Sequence, residues 1–391
     1  MRLGPALLSL LPPLVAVAAA CGNFVSLGGG AGSGGAGGGP DPGDTATSSS
    51  GEPVTTSSTA STASTGAGGS GAGGEGGALP DGGDPPDAGS GGATSPCDEE
   101  LANDDADPFH AARAIELCTV AESPDDPGLH EARWVLPDGA PIPTGYDVQY
   151  ALGHGLYEAF GPNVSPRAGK RMLALSSGAA RRPGEPGYLP PNAGYAKGYA
   201  HAAPEGFPKP SPACPGSTTG QPHDGVALEV TLRAPNGAVG FAFEFSYYTA
   251  EFPIFACTTF NDAFVALLSP TPPGQTDGNI SFDGVGNVIS VNNVFLEVCT
   301  CQDGPPCSAG GTLYPCSLGP SALLGTGYET QHGATGWLTT RAPMQGGELF
   351  TLRFAVYDSG DAVLDSATLV DHFRWISTGE PVVETYRPVP P

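Results

Sequence analysis

Three aspartates close to one another, and a fourth in the next apolar run, are where this sequence offers chemistry. Asp358, Asp361 and Asp365 fall in the Ser/Gly-containing stretch YDSGDAVLD, and Asp371 follows in ATLVDHFRWI. Clustered carboxylates supply hard oxygen ligands, which suit calcium and its flexible coordination better than zinc. Asp371 shares a parity with Leu369, Phe373 and Trp375, so it is expected to face the apolar layer. A carboxylate there is costly unless it is hydrogen-bonded, paired or bound to a metal. The cluster predicts a structural Ca2+ drawing on Asp361, Asp365 and Asp371. The competing account is a set of turn caps, with Asp371 held by backbone N–H groups and by Arg374 or Arg353.

Other residue groups are weaker as sites. Cys299, Cys301, Cys307 and Cys316 crowd a Gly/Pro-rich loop, but their spacing lacks the paired cysteines that a zinc knuckle prefers. Two local disulfides are expected. Asn103, Asp105 and Asp107 resemble the opening of a calcium loop, yet Pro108 stands where glycine is needed and Ala114 where the closing glutamate belongs. Ser176 and Ser177, beside Arg181 and Arg182, belong to no G-x-S-x-G elbow and read as a turn. The histidines are scattered, with no H-E-x-x-H.

Strands must position these groups. Phe241, Phe243, Phe245 and Tyr247 alternate with Ala242, Glu244 and Ser246, so one face of this segment carries the large side chains. Val226, Leu228, Val230 and Leu232 repeat the pattern, and Pro235-Asn236-Gly237 joins the two segments with turn chemistry. Phe350, Leu352, Phe354 and Val356 form a third such face. Apolar strand faces need a cover, and in a chain with few helical patterns that cover is a second sheet. Upstream, Asp107 as N-cap and Pro108 at the first helical position predict one short helix. The expected fold is mainly β: a jelly-roll-like antiparallel β-sandwich with a short N-terminal helix and a long disordered N-terminal tether.

Composition explains the tether. The chain has 391 residues, including 60 glycines and 42 prolines, and the glycine excess lies near the N-terminus. Residues 1–20 read as a lipoprotein signal peptide, with Ala18-Ala19-Ala20-Cys21 resembling a lipobox that departs from the usual pattern in having Ala18 in place of leucine. Cys21 is the expected lipidation site and the chain's link to a membrane. Residues 21–96 read as a disordered tether: from about Gly28 to Pro96 the chain carries almost no large apolar side chain and cannot offset the entropy of ordering. As a coil, some 70 such residues span about 45 Å. Residues 97–225 read as a satellite segment of short helix, strands and long loops packed on a sandwich core at 226–380, followed by a tail at 381–391. The remaining eight cysteines, Cys97, Cys118, Cys214, Cys257, Cys299, Cys301, Cys307 and Cys316, are an even set suited to disulfides in an exported chain. Cys97 and Cys118 flank the short helix as a candidate pair. A net charge of -25, from 40 acidic against 15 basic residues, disfavours nucleic acid as a partner.

The ordered blocks SSGAARRPGEPGY, PNGAVGFAFEFSYYTAEFPIFACTTFNDAFVALL, GNISFDGVGNVISVNN and GATGWLTTRAPMQGGELFTLRFAVYDSGDAVLDSATLVDHFRW resemble the choice-of-anchor L domain family of bacterial surface proteins. The resemblance extends over about residues 97 to 376. It implies an exported or anchored β-sandwich with an adhesive or ligand-binding role and no assigned catalytic set. It also brings Glu251 and the Asn261-Asp262 pair beside the aspartates as further candidates for the calcium. The expectation is a non-enzymatic outer-membrane lipoprotein exposed on the cell envelope, binding glycan or matrix. Tyr188, Tyr195, Tyr199 and Phe207 are candidates for stacking on sugars. The alternatives are a surface glycoside hydrolase using a carboxylate pair and a purely structural envelope component.

Overall fold

The structure is a computed structural model that describes residues 96–217 and 219–388. The signal segment, Cys21 and the tether before Pro96 lie outside the described residues. The described chain opens with α1 (Pro108–Arg113), β1 (Gly128–Val135), α2 (Asp147–Ala151), β2 (His154–Tyr157) and β3 (Met172–Ser176). Next come β4 (Pro222–Arg233), β5 (Gly240–Thr249), β6 (Ala263–Ser269), β7 (Ile289–Ser290) and β8 (Val298–Cys299). The rest are β9 (Cys307–Ala309), β10 (Thr312–Tyr314), β11 (Gly333–Ala334), β12 (Leu338–Pro343), β13 (Leu349–Ser359), β14 (Ser366–Ile376) and β15 (Glu384–Tyr386).

Two antiparallel sheets form a sandwich. One runs β1-β4-β13-β6-β7; the other runs β15-β12-β5-β14-β3-β2, with β11 and β8 added beyond the end of β5. The alternating faces meet as expected. Phe241, Phe243, Phe245 and Tyr247 of β5 are buried in one core with Val226, Leu228, Val230 and Leu232 of β4 and with Phe350, Leu352, Phe354 and Val356 of β13. Aromatic pairs cross the gap between the layers. Phe241 stacks on Phe350 at 5.3 Å, Phe243 meets Phe354 edge-on at 4.9 Å, and Phe245 lies 4.8 Å from Phe264. Each such ring removes enough apolar surface from water to stabilise the fold by roughly 1.5–3 kcal/mol.

The segment 97–225 is woven into the sandwich instead of forming a layer on it. β1 pairs with β4, and β2 and β3 extend the sheet beyond β14. β15, in the expected tail, closes the other edge against β12. The short helix forms as predicted, with the Asp107 carboxylate accepting from Phe109 N–H at 2.8 Å and Pro108 in the first turn.

One parity argument fails. A bulge interrupts the β14–β5 pairing between Asp371 and Arg374, with His372 at φ 52°. The extra residue turns the strand over, because side chains alternate strictly only in an unbroken strand. Val370 and Phe373 therefore both face the core, whereas Leu369 belongs to the apolar cluster on the outer side of the sheet. Asp371 is fully buried, but not in the apolar layer between the sheets that its parity with Phe373 predicts.

All eight cysteines are paired: Cys97–Cys118, Cys214–Cys257, Cys299–Cys316 and Cys301–Cys307. The last two staple the loop between β8 and β11 as two local bridges. Among the described residues, the one trio of potential metal ligands within 4.8 Å of one another is Cys299, Cys307 and Cys316, and all three are held in disulfides.

Candidate functional site

Antiparallel strands bring alternate termini to the same end of a sandwich. At one end β4, β6 and β14 begin, while β3, β5 and β13 finish. This topology gathers Asp224, Glu251, Asp262, Asp358 and Asp365, which are far apart in sequence. All five are buried, and so is Lys197 from the long loop between β3 and β4.

Two members are well satisfied. Lys197 Nζ donates to the carbonyls of Ser176 at 2.7 Å, Ser177 at 2.5 Å and Asp224 at 2.7 Å. An ammonium has three donors, so none remains for a carboxylate. The Asp224 carboxylate accepts the backbone N–H groups of Lys197, Gly198 and Tyr199 at 2.7, 2.9 and 3.1 Å.

Glu251 and Asp262 are linked to each other. Asp262 N–H donates to Glu251 Oε2 at 2.9 Å, while the Asp262 carboxylate accepts from Ser359 N–H at 3.2 Å and from the Ser366 hydroxyl at 2.8 Å. Burial pushes both carboxyls well above the usual range, and the negative charge of Asp358 adds to it.

Asp358 and Asp365 differ from these. Both are 1% exposed, and all four of their carboxylate oxygens are buried without a hydrogen-bond partner. Asp358 lies against the Asp262 carboxyl and the Ser177 hydroxyl, both of which act on its carboxyl group, while no N–H or O–H of the described residues donates to it. Burial raises it to about 7. Burial also lifts Asp365 well above its ordinary value, with the neighbouring Asp358 adding to the shift. Lys197 moves the other way, down to about 8, because burial disfavours its charged form.

Of the acids expected to share an ion, Glu251, Asp262 and Asp365 are brought together, and Asp361 is half-buried where its charge is felt by Glu251. Asp371 is not among them. Six residues along β14 separate it from Asp365, about 20 Å of strand. Its carboxylate accepts the N–H groups of Arg167 at 2.5 Å and His372 at 2.6 Å and lies against Glu116. The backbone part of the competing account is therefore correct for Asp371. The arginine part is not, because Arg353 pairs with Glu229 and Arg374 with Glu244. Sequence reasoning missed Lys197 as a member and left Asp358 out of the ligand set. No local spacing signals either one.

One of the four candidate sugar-stacking aromatics is packed away and three are partly covered. Tyr199 is buried in the core, and Tyr188, Tyr195 and Phe207 are half-buried. Phe207 lies against the apolar cluster on the outer face of the β4 sheet. At the opposite end of the sandwich from the acids, an open groove of about 800 Å³ lies between the β4–β5 and β12–β13 turns and the segments after β6 and β14. Pro270, Pro272, Pro343, Pro381 and Met344 give it apolar walls, and Thr271, Gln345, Glu348 and Glu380 supply polar groups.

Residues 223–372, from the start of β4 to the bulge in β14, match the family model of the choice-of-anchor L domain. No curated protein matches the chain. Three solved structures are similar over much of it. The TmCBM61 structure in complex with beta-1,4-galactotriose shares 8% identity, covers 64% of this chain and 90% of that one, and has a TM-score of 0.24. The K2 cleaved adhesin domain of Lys-gingipain shares 9%, with 66% and 93% covered and a TM-score of 0.23. The mannan-recognising carbohydrate-binding module TmCBM27 shares 12%, with 66% and 99% covered and a TM-score of 0.21.

Proposed function

We propose that this chain, whose residues 223–372 match the choice-of-anchor L domain, is an exported, lipid-anchored surface protein that binds a glycan or matrix ligand without transforming it. The observation that carries the binding reading is the groove at the end of the sandwich away from the acidic cluster. Its volume of about 800 Å³ is that of a small-ligand site. Proline and methionine side chains pack against the C–H faces of a sugar, while Gln345, Glu348, Glu380 and Thr271 provide donors and acceptors for its hydroxyls.

Four disulfides fit a protein that works outside the reducing cytoplasm. Attachment through Cys21 in the outer membrane would hold the sandwich out from the cell on its Gly-rich tether. Cys21→Ser is expected to release the chain from the membrane fraction; persistence there would remove the lipid from this account.

The ligand is tested by screening the purified chain against arrays of glycans and matrix proteins. Reproducible binding to one class is expected, and silence across both would leave a purely structural envelope role. Glu348 and Glu380 both line the groove, which is the observation that favours a carboxylate-pair hydrolase as second reading. Release of reducing ends from a bound glycan would establish that reading.

A further inference from the structure

We infer that the buried carboxylates at the strand ends form a calcium site centred on Asp358 and Asp365, with Asp262 and Glu251 beside them. The argument starts from the number of charges. Five buried carboxylates, those of Asp224, Glu251, Asp262, Asp358 and Asp365, face one buried ammonium, that of Lys197. Lys197 has no donor left, since its three go to the carbonyls of Ser176, Ser177 and Asp224. The Ser177 hydroxyl is also engaged, donating to Ser366 O and accepting from Ser366 N–H.

No N–H or O–H of the described residues therefore reaches the four oxygens of Asp358 and Asp365. Water satisfies lone pairs but leaves the surplus charge. A proton shared between Asp262 and Asp358 removes one charge but leaves both oxygens of Asp365 without a donor. A divalent cation answers both demands, and an all-oxygen set of flexible carboxylates is the chemistry of Ca2+. Magnesium requires stricter octahedral geometry and keeps its water more firmly.

The chain around the site is built to this shape. Asp365 sits over Gly178, where a Cβ would stand 1.8 Å from Asp365 Oδ2, so only glycine leaves the carboxylate its place. Asp365 N–H is held by Pro191 O at 2.7 Å, and its carbonyl accepts from Ala250 N–H at 3.2 Å. No three acidic side chains place ligand oxygens within 4.8 Å of one another among the described residues, so binding requires the carboxylates to move inward and water to complete the shell. The ion would tie together the loops before β4, after β5 and before β14. This inference is independent of the groove and its ligand.

The test is calorimetric titration of CaCl2 into the chelator-treated full chain, with thermal melts in CaCl2, MgCl2 and chelator. One calcium per chain and a melting midpoint raised by calcium more than by magnesium are expected. The double variant Asp358→Asn, Asp365→Asn removes buried charge and should fold; it is expected to bind calcium at least about tenfold more weakly. Asp371→Asn, in the separate carboxylate group, should leave the calcium affinity unchanged. An unchanged midpoint with no heat of calcium binding would overturn the site, and so would full affinity in the double variant. Loss of affinity in Asp371→Asn alone would place the ion elsewhere and equally overturn it.

Discussion

Gly178 and Asp365 occupy the same space: a Cβ at position 178 would lie 1.8 Å from the Asp365 carboxylate. The glycine is needed here for room, since its backbone is not in the left-handed region. Gly178→Ala must push Asp365 aside and is expected to cost about 1–3 kcal/mol, the usual range for overpacking. Denaturant unfolding measures it. Adding Asp365→Ala should recover most of the loss, because the two positions are coupled through one contact. Additive losses would show that the alanine harms something else.

Glu116 and Asp371 make a pH-sensitive contact between the Cys97–Cys118 segment and β14. Burial, with the charge of Asp371 next, raises Glu116 from the ordinary 4.5 to about 10, and burial raises Asp371 to about 6. The folded pair holds a proton that the unfolded chain releases above about pH 4.5. Its stabilisation is therefore complete below that pH and is lost as pH rises toward 10. Arg167, His372, Asp98 and Glu244 surround the pair. Glu116→Gln keeps a donor beside Asp371 and removes the titration. Between pH 6 and 9 the variant should lose about 1.4 kcal/mol less per pH unit than the parent chain, the value for one proton. Parallel stability curves would rule the shared proton out.

The interlayer rings should dominate the stability of the sandwich. Phe243 is fully buried and meets Phe354 edge-on at 4.9 Å. Phe243→Ala is expected to cost about 3–5 kcal/mol by equilibrium unfolding. A loss under 1 kcal/mol would mean that the core between the sheets is loosely packed.

The Cys97–Cys118 bridge closes a segment with a sequence separation of 21 residues around α1. Replacing both cysteines by alanine is expected to cost about 3 kcal/mol through the freed entropy of the unfolded chain. Proteolysis should then cut first within 97–118, while the β4–β14 core stays resistant. Simultaneous cleavage of both would show that this segment and the core unfold together.

How far the sequence reveals this structure depends on the range of the interaction. The faces of β4, β5 and β13 were readable because alternation is local and their side chains are large. The N-cap at Asp107 was readable for the same reason. Glu251, Asp262 and Asp365 were recognisable as acids of one chemistry, but their meeting with Asp358 and Lys197 is set by which strands begin and end together. Asp371 was misplaced because one extra residue near His372 reverses the alternation, and no residue type marks that bulge. The groove is made by four turns and strand ends from distant parts of the chain and leaves no contiguous motif.

The most direct test of the binding account uses Thr271→Trp, which adds bulk at an exposed residue lining the groove and disturbs no core contact. Calorimetric titration of the best ligand from the glycan and matrix screen into the parent chain and the variant decides it. The account predicts at least about tenfold weaker binding, a loss of roughly 1.4 kcal/mol, with an unchanged melting curve. Equal affinity in the two proteins would contradict it and take the groove out of the function.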